Sequence, residues 1–254
     1  MDRFERFHRY FFTWHCRNFF NFRRAVTPGE WAYLEACFKL AKSEEAHDWG
    51  DGPHFSYYTY SHRVKDERCN STRLAYGTVA HAQPLAELAR PLVEARAVPL
   101  DPVFWEAPGC HFYMLGWDFE AEQFKVYFRL DEIEKLPLPR LRDLLVKSTA
   151  ARHPQGLVSF SFVGTEPVEE KVYVYPTEGE LPEGAYAQAH MITDQRGVVA
   201  QYDVSGNWAD RVNSVGQDLL DRYVAMGQPL DTIAYHDYDD FTLYFPPRQP
   251  AGRQ

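Results

Sequence analysis

The segment QFKVYFRL, residues 123–130, alternates without a break: Phe124, Val126, Phe128 and Leu130 fall on one side, and Gln123, Lys125, Tyr127 and Arg129 on the other. A period of two belongs to a strand and excludes an amphipathic helix. With His111 to Trp117 ahead of it, the stretch reads as a β-hairpin turning near Glu120 and Glu122. One face of this hairpin must be buried against apolar groups. The other carries two cations flanking a phenol, which suits either water or an anion.

The pattern recurs along the chain. Hairpins are expected over about residues 54–79, with a polar turn at Lys65 to Asn70, over 157–176, over AYAQAHMI and GVVAQYDV, and over TIAYHDYDDFTLYF. Their closing strands, KVYFR, KVYVYP, AQYDV and TLYFP, with TRLAYG more distantly, form a degenerate repeat. Helical spacing appears between them, at Leu85, Leu88, Ala89, Leu92 and Val93, along Asp131 to Lys147, and in Trp208 to Met226. Two helices precede the first strand. Residues 1–24 interleave Phe4, Phe7, Phe11 and Trp14 with Arg3, Arg6, Arg9 and Arg17, and are read as a helix on the outside of a sheet in preference to a membrane surface. The next has Thr27 as N-cap, Pro28 at its first position and Glu30 three residues after the cap.

Five hairpins linked by helices predict an α+β fold, a ten-stranded antiparallel sheet with its helices on one face. Closing the sheet into a β-barrel would remove its edges and leave an interior wide enough for a ligand. An open sheet with its polar face in solvent is the competing arrangement, and the wealth of tyrosine on that face argues against it. No low-complexity linker divides the chain, so residues 1–246 are expected to form one domain and 247–254 a disordered tail.

Composition bounds the function. The formal charge of −9 argues against a general nucleic-acid binder, so a basic interior would be a local arrangement. The four cysteines, Cys16, Cys37, Cys69 and Cys110, form no CxxC pair, and no apolar run has the length of a membrane span. Together with the absence of a signal-peptide pattern, this predicts a cytoplasmic protein with reduced thiols and no stable membrane insertion. His15–Cys16 and Cys110–His111 fall outside the recognised zinc spacings.

The order of elements, two helices and then hairpin and helix in turn, together with strands such as Lys125-Val126-Tyr127-Phe128-Arg129 and Gln201-Tyr202-Asp203-Val204, resembles the αββα-barrel (ABBA) aromatic prenyltransferases. It is most similar to the branch acting on cyanobactin-type ribosomal peptides, and the likeness runs from about Thr27 to Phe245. The resemblance implies a ten-stranded PT barrel surrounded by helices. It implies a transferase of RiPP biosynthesis that moves dimethylallyl or geranyl from its diphosphate to a nucleophilic peptide side chain, with Mg2+. The diphosphate-binding positions carry over to Arg73, Lys125 and Arg129, with Lys171 where a further polar or basic residue is common. Tyr127, Tyr173, Tyr175, Tyr202 and Tyr244 would face inward, Tyr175, Tyr202 and Tyr244 shielding the allylic cation and Tyr127 and Tyr173 lying at the reacting centre. Asp118 would hold Mg2+ or orient a cation; a carboxylate serving the turn or a lysine is the plainer alternative.

Two departures stand out. Where the family often has a glutamate in the first barrel strand, HFSYYTYSH has His54, Ser56, Tyr58, Tyr60 and His62, and His54 is the candidate taken from it. Thr242 replaces a common basic residue in the last strand. The chemistry is coherent, since cations stabilise the departing diphosphate while aromatic faces shield the carbocation from water. On this reading Lys125→Ala lowers turnover and leaves the fold intact. A chain ending soon after its last hairpin would leave the barrel mouth open to a bulky peptide. The rivals are an indole or phenol prenyltransferase, a non-catalytic isoprenoid-binding barrel, and an interaction module built on the N-terminal helix.

Overall fold

The computed structural model describes residues 56–78, 82–118, 121–139, 141–142, 145, 151–193, 196–204, 211–225, 230 and 232–245, without the side chains of 56–60, 70–78, 82–85 and 88. The two N-terminal helices and the tail expected from sequence lie outside these residues.

All five expected hairpins are present, as ten strands among the described residues: β1 (Ser56–Lys65), β2 (Arg68–Thr78), β3 (Cys110–Asp118), β4 (Gln123–Leu130), β5 (Arg152–Val163), β6 (Glu166–Pro176), β7 (Ala185–Thr193), β8 (Gly197–Val204), β9 (Thr232–Asp237) and β10 (Asp240–Phe245). They form one curled antiparallel sheet in sequence order. Tyr60 to Lys65 of β1 also pair with Phe245 to Asp240 of β10, so the order of hydrogen-bonded strands closes on itself.

The first turn is tighter than the sequence reading gave it. Strand pairing continues to Lys65 and resumes at Arg68, and Asp66 and Glu67 take positive φ values of 51° and 56°. Two left-handed residues make the turn whose twist matches that of a hairpin.

Three helices are described, α1 (Ala82–Glu94), α2 (Val103–Glu106) and α3 (Ser214–Ala225). The helix expected from Asp131 starts later: a 3-10 turn at Ile133–Lys135 comes first, and helical residues resume at Pro139. Pro137 and Pro139 explain this, since proline fits a first helical turn but lacks the N–H that an interior position must donate. In α3 the start is set by Asn213, whose Oδ1 accepts the N–H of Gly216 at 3.2 Å, an N-cap three residues ahead of its donor.

The sheet has two chemically distinct faces. Val126, Phe128, Val158, Phe160, Val172, Val174, Ile192, Ile233, Phe241 and Leu243 belong to one continuous apolar cluster, to which Phe104 of α2 and Leu219, Leu220 and Tyr223 of α3 also belong. Phe104 packs edge-on against Phe160 at 4.5 Å between ring centroids, and Tyr223 stacks on Phe245 at 3.6 Å. His62 is on this face too, fully buried, with its Nε2 2.7 Å from the Tyr223 hydroxyl. The helical face is therefore the outer one. Tyr127, Ala189, Met191 and Ala234 are buried yet stand outside that cluster, because they alternate onto the inner face.

Candidate functional site

The inner face is built by register. In antiparallel pairs, directly opposed residues project to the same side. Gly116, Lys125, Ser161 and Glu169 form one cross-strand row over β3 to β6, and Met114, Tyr127, Ser159, Lys171 and Thr193 form the next over β3 to β7. A third row runs Tyr244, Ser61, Arg73, Asp118, Gln123. Of the buried polar residues, Ser61, Asp118, Lys125, Ser159, Ser161, Lys171, Thr193 and Thr242 all share this face. An apolar interior would not tolerate such a wall, since buried polar groups need partners.

The ammonium groups are held by carboxylates. Lys125 Nζ lies 3.7 Å from Asp118 Oδ2, with both side chains only 4% exposed, and Lys171 Nζ lies 2.9 Å from Glu169 Oε2. Asp118 Oδ1 also accepts the Ala121 N–H at 3.3 Å. Asp118 is thus a lysine partner and a turn cap, and among the described residues no group of three potential metal ligands occurs. Opposite Lys125, a Cβ added at Gly116 would make ordinary contacts, 3.5 Å from Lys125 Cβ and 3.6 Å from Tyr127 Cε2.

Arg129 sits nearer the rim, its side chain 37% exposed and its Nη2 3.9 Å from Asp131. Its Nε is buried with no hydrogen-bond partner among the described residues, a donor available to an anion. Tyr173, opposite Leu157 and Met191, and Tyr244, opposite Ser61, are half-buried on the inner face. Arg73 occupies the register position between Ser61 and Asp118, though its side chain is outside the described set, as is His54 altogether.

Tyr202 is a correction. It pairs with Tyr235 and Gln188 and packs against the outer apolar cluster, in phase with Val204. The residue facing inward on β8 is its neighbour Asp203, with Ala187 and Ala234 opposite it.

Asp203 belongs to a polar group that the motifs did not reveal. Gln201 Nε2 donates to its Oδ1 at 3.4 Å. Burial raises the Asp203 carboxyl above its ordinary range, opposed by the Gln201 hydrogen bond and by the nearby His236. Burial, with lesser contributions from Tyr113 and Asp203, pushes the Tyr175 phenol up to about 12. His236 donates Nδ1–H to the Ala200 carbonyl at 2.7 Å, and burial lowers its pKa, which favours the neutral ring with Nε2 as acceptor. Arg63, on the inner face beside Thr242, forks onto both oxygens of Asp240 at 2.9 Å. Cys110 is inert: burial first, then Asp131, lifts its thiol to about 12, while His111 is engaged with Asp131 at 2.8 Å.

Neither protein-family models nor curated proteins match this chain.

Proposed function

We propose that this protein is a prenyltransferase of the αββα-barrel kind, in which the ring of strands and its outer helices enclose a reaction chamber. The donor is an allylic diphosphate, dimethylallyl or geranyl, and the acceptor is a nucleophilic side chain of a ribosomal peptide. The observation that carries this reading is the burial of two lysines, Lys125 and Lys171, in adjacent rows of one inner wall, separated by Ser159 and Ser161.

A diphosphate settling against that wall meets two ammonium groups, serine hydroxyls and, toward the rim, the buried Nε of Arg129. Each supplies a charge-assisted or neutral hydrogen bond to an oxygen that gains charge as the C–O bond breaks. Tyr127, Tyr173, Tyr175 and Tyr244 line the chamber toward which the allylic carbon would extend, where their ring faces stabilise a carbocation and exclude water. Magnesium on a diphosphate needs only one or two protein carboxylates, and Asp118 would supply one, neutralising phosphate charge when bound.

The test follows from the ion pair. Lys125→Ala would leave Asp118 buried without this counter-charge, which costs about 3–5 kcal/mol when a buried pair is broken on one side. The expectation that this variant spares the fold is therefore replaced by a paired change, Lys125→Met with Asp118→Asn. Purified protein is incubated with Mg2+, each diphosphate and a panel of linear and cyclic peptides, and the products are weighed by mass spectrometry. The wild type gains an isoprene unit on peptide and the folded double variant does not. Equal turnover in the two proteins refutes the assignment, and diphosphate binding without transfer to any peptide, indole or phenol points to a carrier.

A further inference from the structure

The prenyl-transfer reading leaves open which group takes the proton from the nucleophile: His54 lies outside the described residues, and His62 is turned outward onto Tyr223. Resting on that reading, we propose that Asp203 on β8 is the proton acceptor and that Tyr113 and Tyr175 confine the acceptor side chain beside it.

Three strands bring this cluster together. Asp203 projects inward from β8, Tyr175 from β6 in phase with Lys171 and Tyr173, and Tyr113 stands at the β3 irregularity between Phe112 and Met114. Tyr175 and Asp203 share the inner face, and the Tyr175 phenol is influenced electrostatically by both Tyr113 and Asp203. The residues opposite Asp203 on both neighbouring strands are alanines, Ala187 and Ala234, which leaves space in front of the carboxylate that larger side chains would fill. Its one side-chain hydrogen bond described is the long one, 3.4 Å from Gln201, leaving lone pairs for an incoming N–H or O–H.

The cluster is distinct from the lysine wall. Lys171 is opposite Thr193 at one end of β7, whereas Asp203 is opposite Ala187 six residues along the same strand. With the diphosphate at the first position, the second lies along the chamber where an acceptor would enter. The step balances: the allylic C–O bond breaks with its electron pair leaving on diphosphate, the acceptor heteroatom or ring carbon forms the new bond to carbon, and its proton passes to an Asp203 oxygen. His236, held by the Ala200 carbonyl through Nδ1, is the nearby group that could take that proton on Nε2.

The decisive comparison uses the full chain and the variants Asp203→Asn and Asp203→Glu, with dimethylallyl S-thiolodiphosphate as the binding probe. Asp203→Asn should bind the probe like wild type and still hydrolyse dimethylallyl diphosphate slowly, yet prenylate peptide about a hundredfold to ten-thousandfold more slowly, the usual worth of a positioned base. Asp203→Glu should recover part of the rate. The wild-type rate should fall on the acid side as Asp203 protonates, with Tyr113, Tyr175 and His236 the titratable neighbours facing it, and Asp203→Asn should lose that limb. Peptide prenylation by a folded Asp203→Asn at the wild-type rate, with the acid limb kept, overturns the proposal alone. A wild-type protein that neither binds the probe nor transfers overturns the prenyl-transfer reading and this inference with it.

Discussion

Asp203 is a carboxylate that the fold buries at a cost in stability. Burial raises its pKa in the fold above the ordinary value of 3.8. A raised acid pKa means that, between the unfolded and folded values, the native state holds more protons than the unfolded state. The stability present below the unfolded value is then lost as pH rises through the folded one. Replacing Asp203 by Asn removes the titration and keeps an oxygen that Gln201 can donate to. Thermal melts should therefore coincide for wild type and Asp203→Asn near pH 4 and separate as pH rises, the variant melting higher at neutral pH. Melting curves offset by the same amount at every pH would mean that the carboxylate is not held at a cost.

At the scale of elements, alternation made the fold legible. A strand with core residues on both sides of a tyrosine, Val126-Tyr127-Phe128, Val172-Tyr173-Val174 or Leu243-Tyr244-Phe245, sends that tyrosine inward, and the structure follows this rule. AQYDV breaks it. Tyr202 is in phase with Val204, so reading this strand as a copy of KVYFR turned the wrong residue inward and hid Asp203. The buried Ser159 and Ser161 were equally visible as the polar positions of LVSFSF, but serines carry no motif. Helix starts were less legible, because Asn213 caps α3 through a hydrogen bond that periodicity does not encode. Docking of α3 depends on Gly216, where an added Cβ would come within 2.7 Å of Phe241 and 2.8 Å of Val212. Gly216→Ala, although alanine favours helices, should destabilise the protein by about 1–3 kcal/mol through overpacking against this interface. Chemical denaturation checks it, and an unchanged or higher midpoint would show that α3 moves freely off β10.

Over the whole molecule, two faces of one sheet do opposite work. The outer face takes the aromatic and aliphatic side chains that hold the helices, while the inner face concentrates buried serines, threonines, lysines and carboxylates in a protein whose net charge is −9. Paired charges on the inner face cost desolvation energy that a smooth apolar interior would avoid. Such a cost is sensible where an anion is meant to enter, because the lysines then exchange or share their carboxylates with phosphate oxygens. The strands that carry Lys125 and Lys171 belong to the closed strand order, so a ligand bridging β4 and β6 stabilises the native state as a whole. At a free concentration about a hundred times its Kd, a ligand bound only by the folded protein adds about 2.7 kcal/mol. For a chain of this size each kcal/mol raises Tm by about 2–4 °C. Dimethylallyl S-thiolodiphosphate with Mg2+ should accordingly shift the melt upward by about 5–10 °C, and the shift should vanish in Lys125→Met with Asp118→Asn. A neutral prenyl alcohol that produces the same shift, undiminished in that variant, would mean that the chamber recognises the hydrocarbon and that its lysines serve only to hold the wall together.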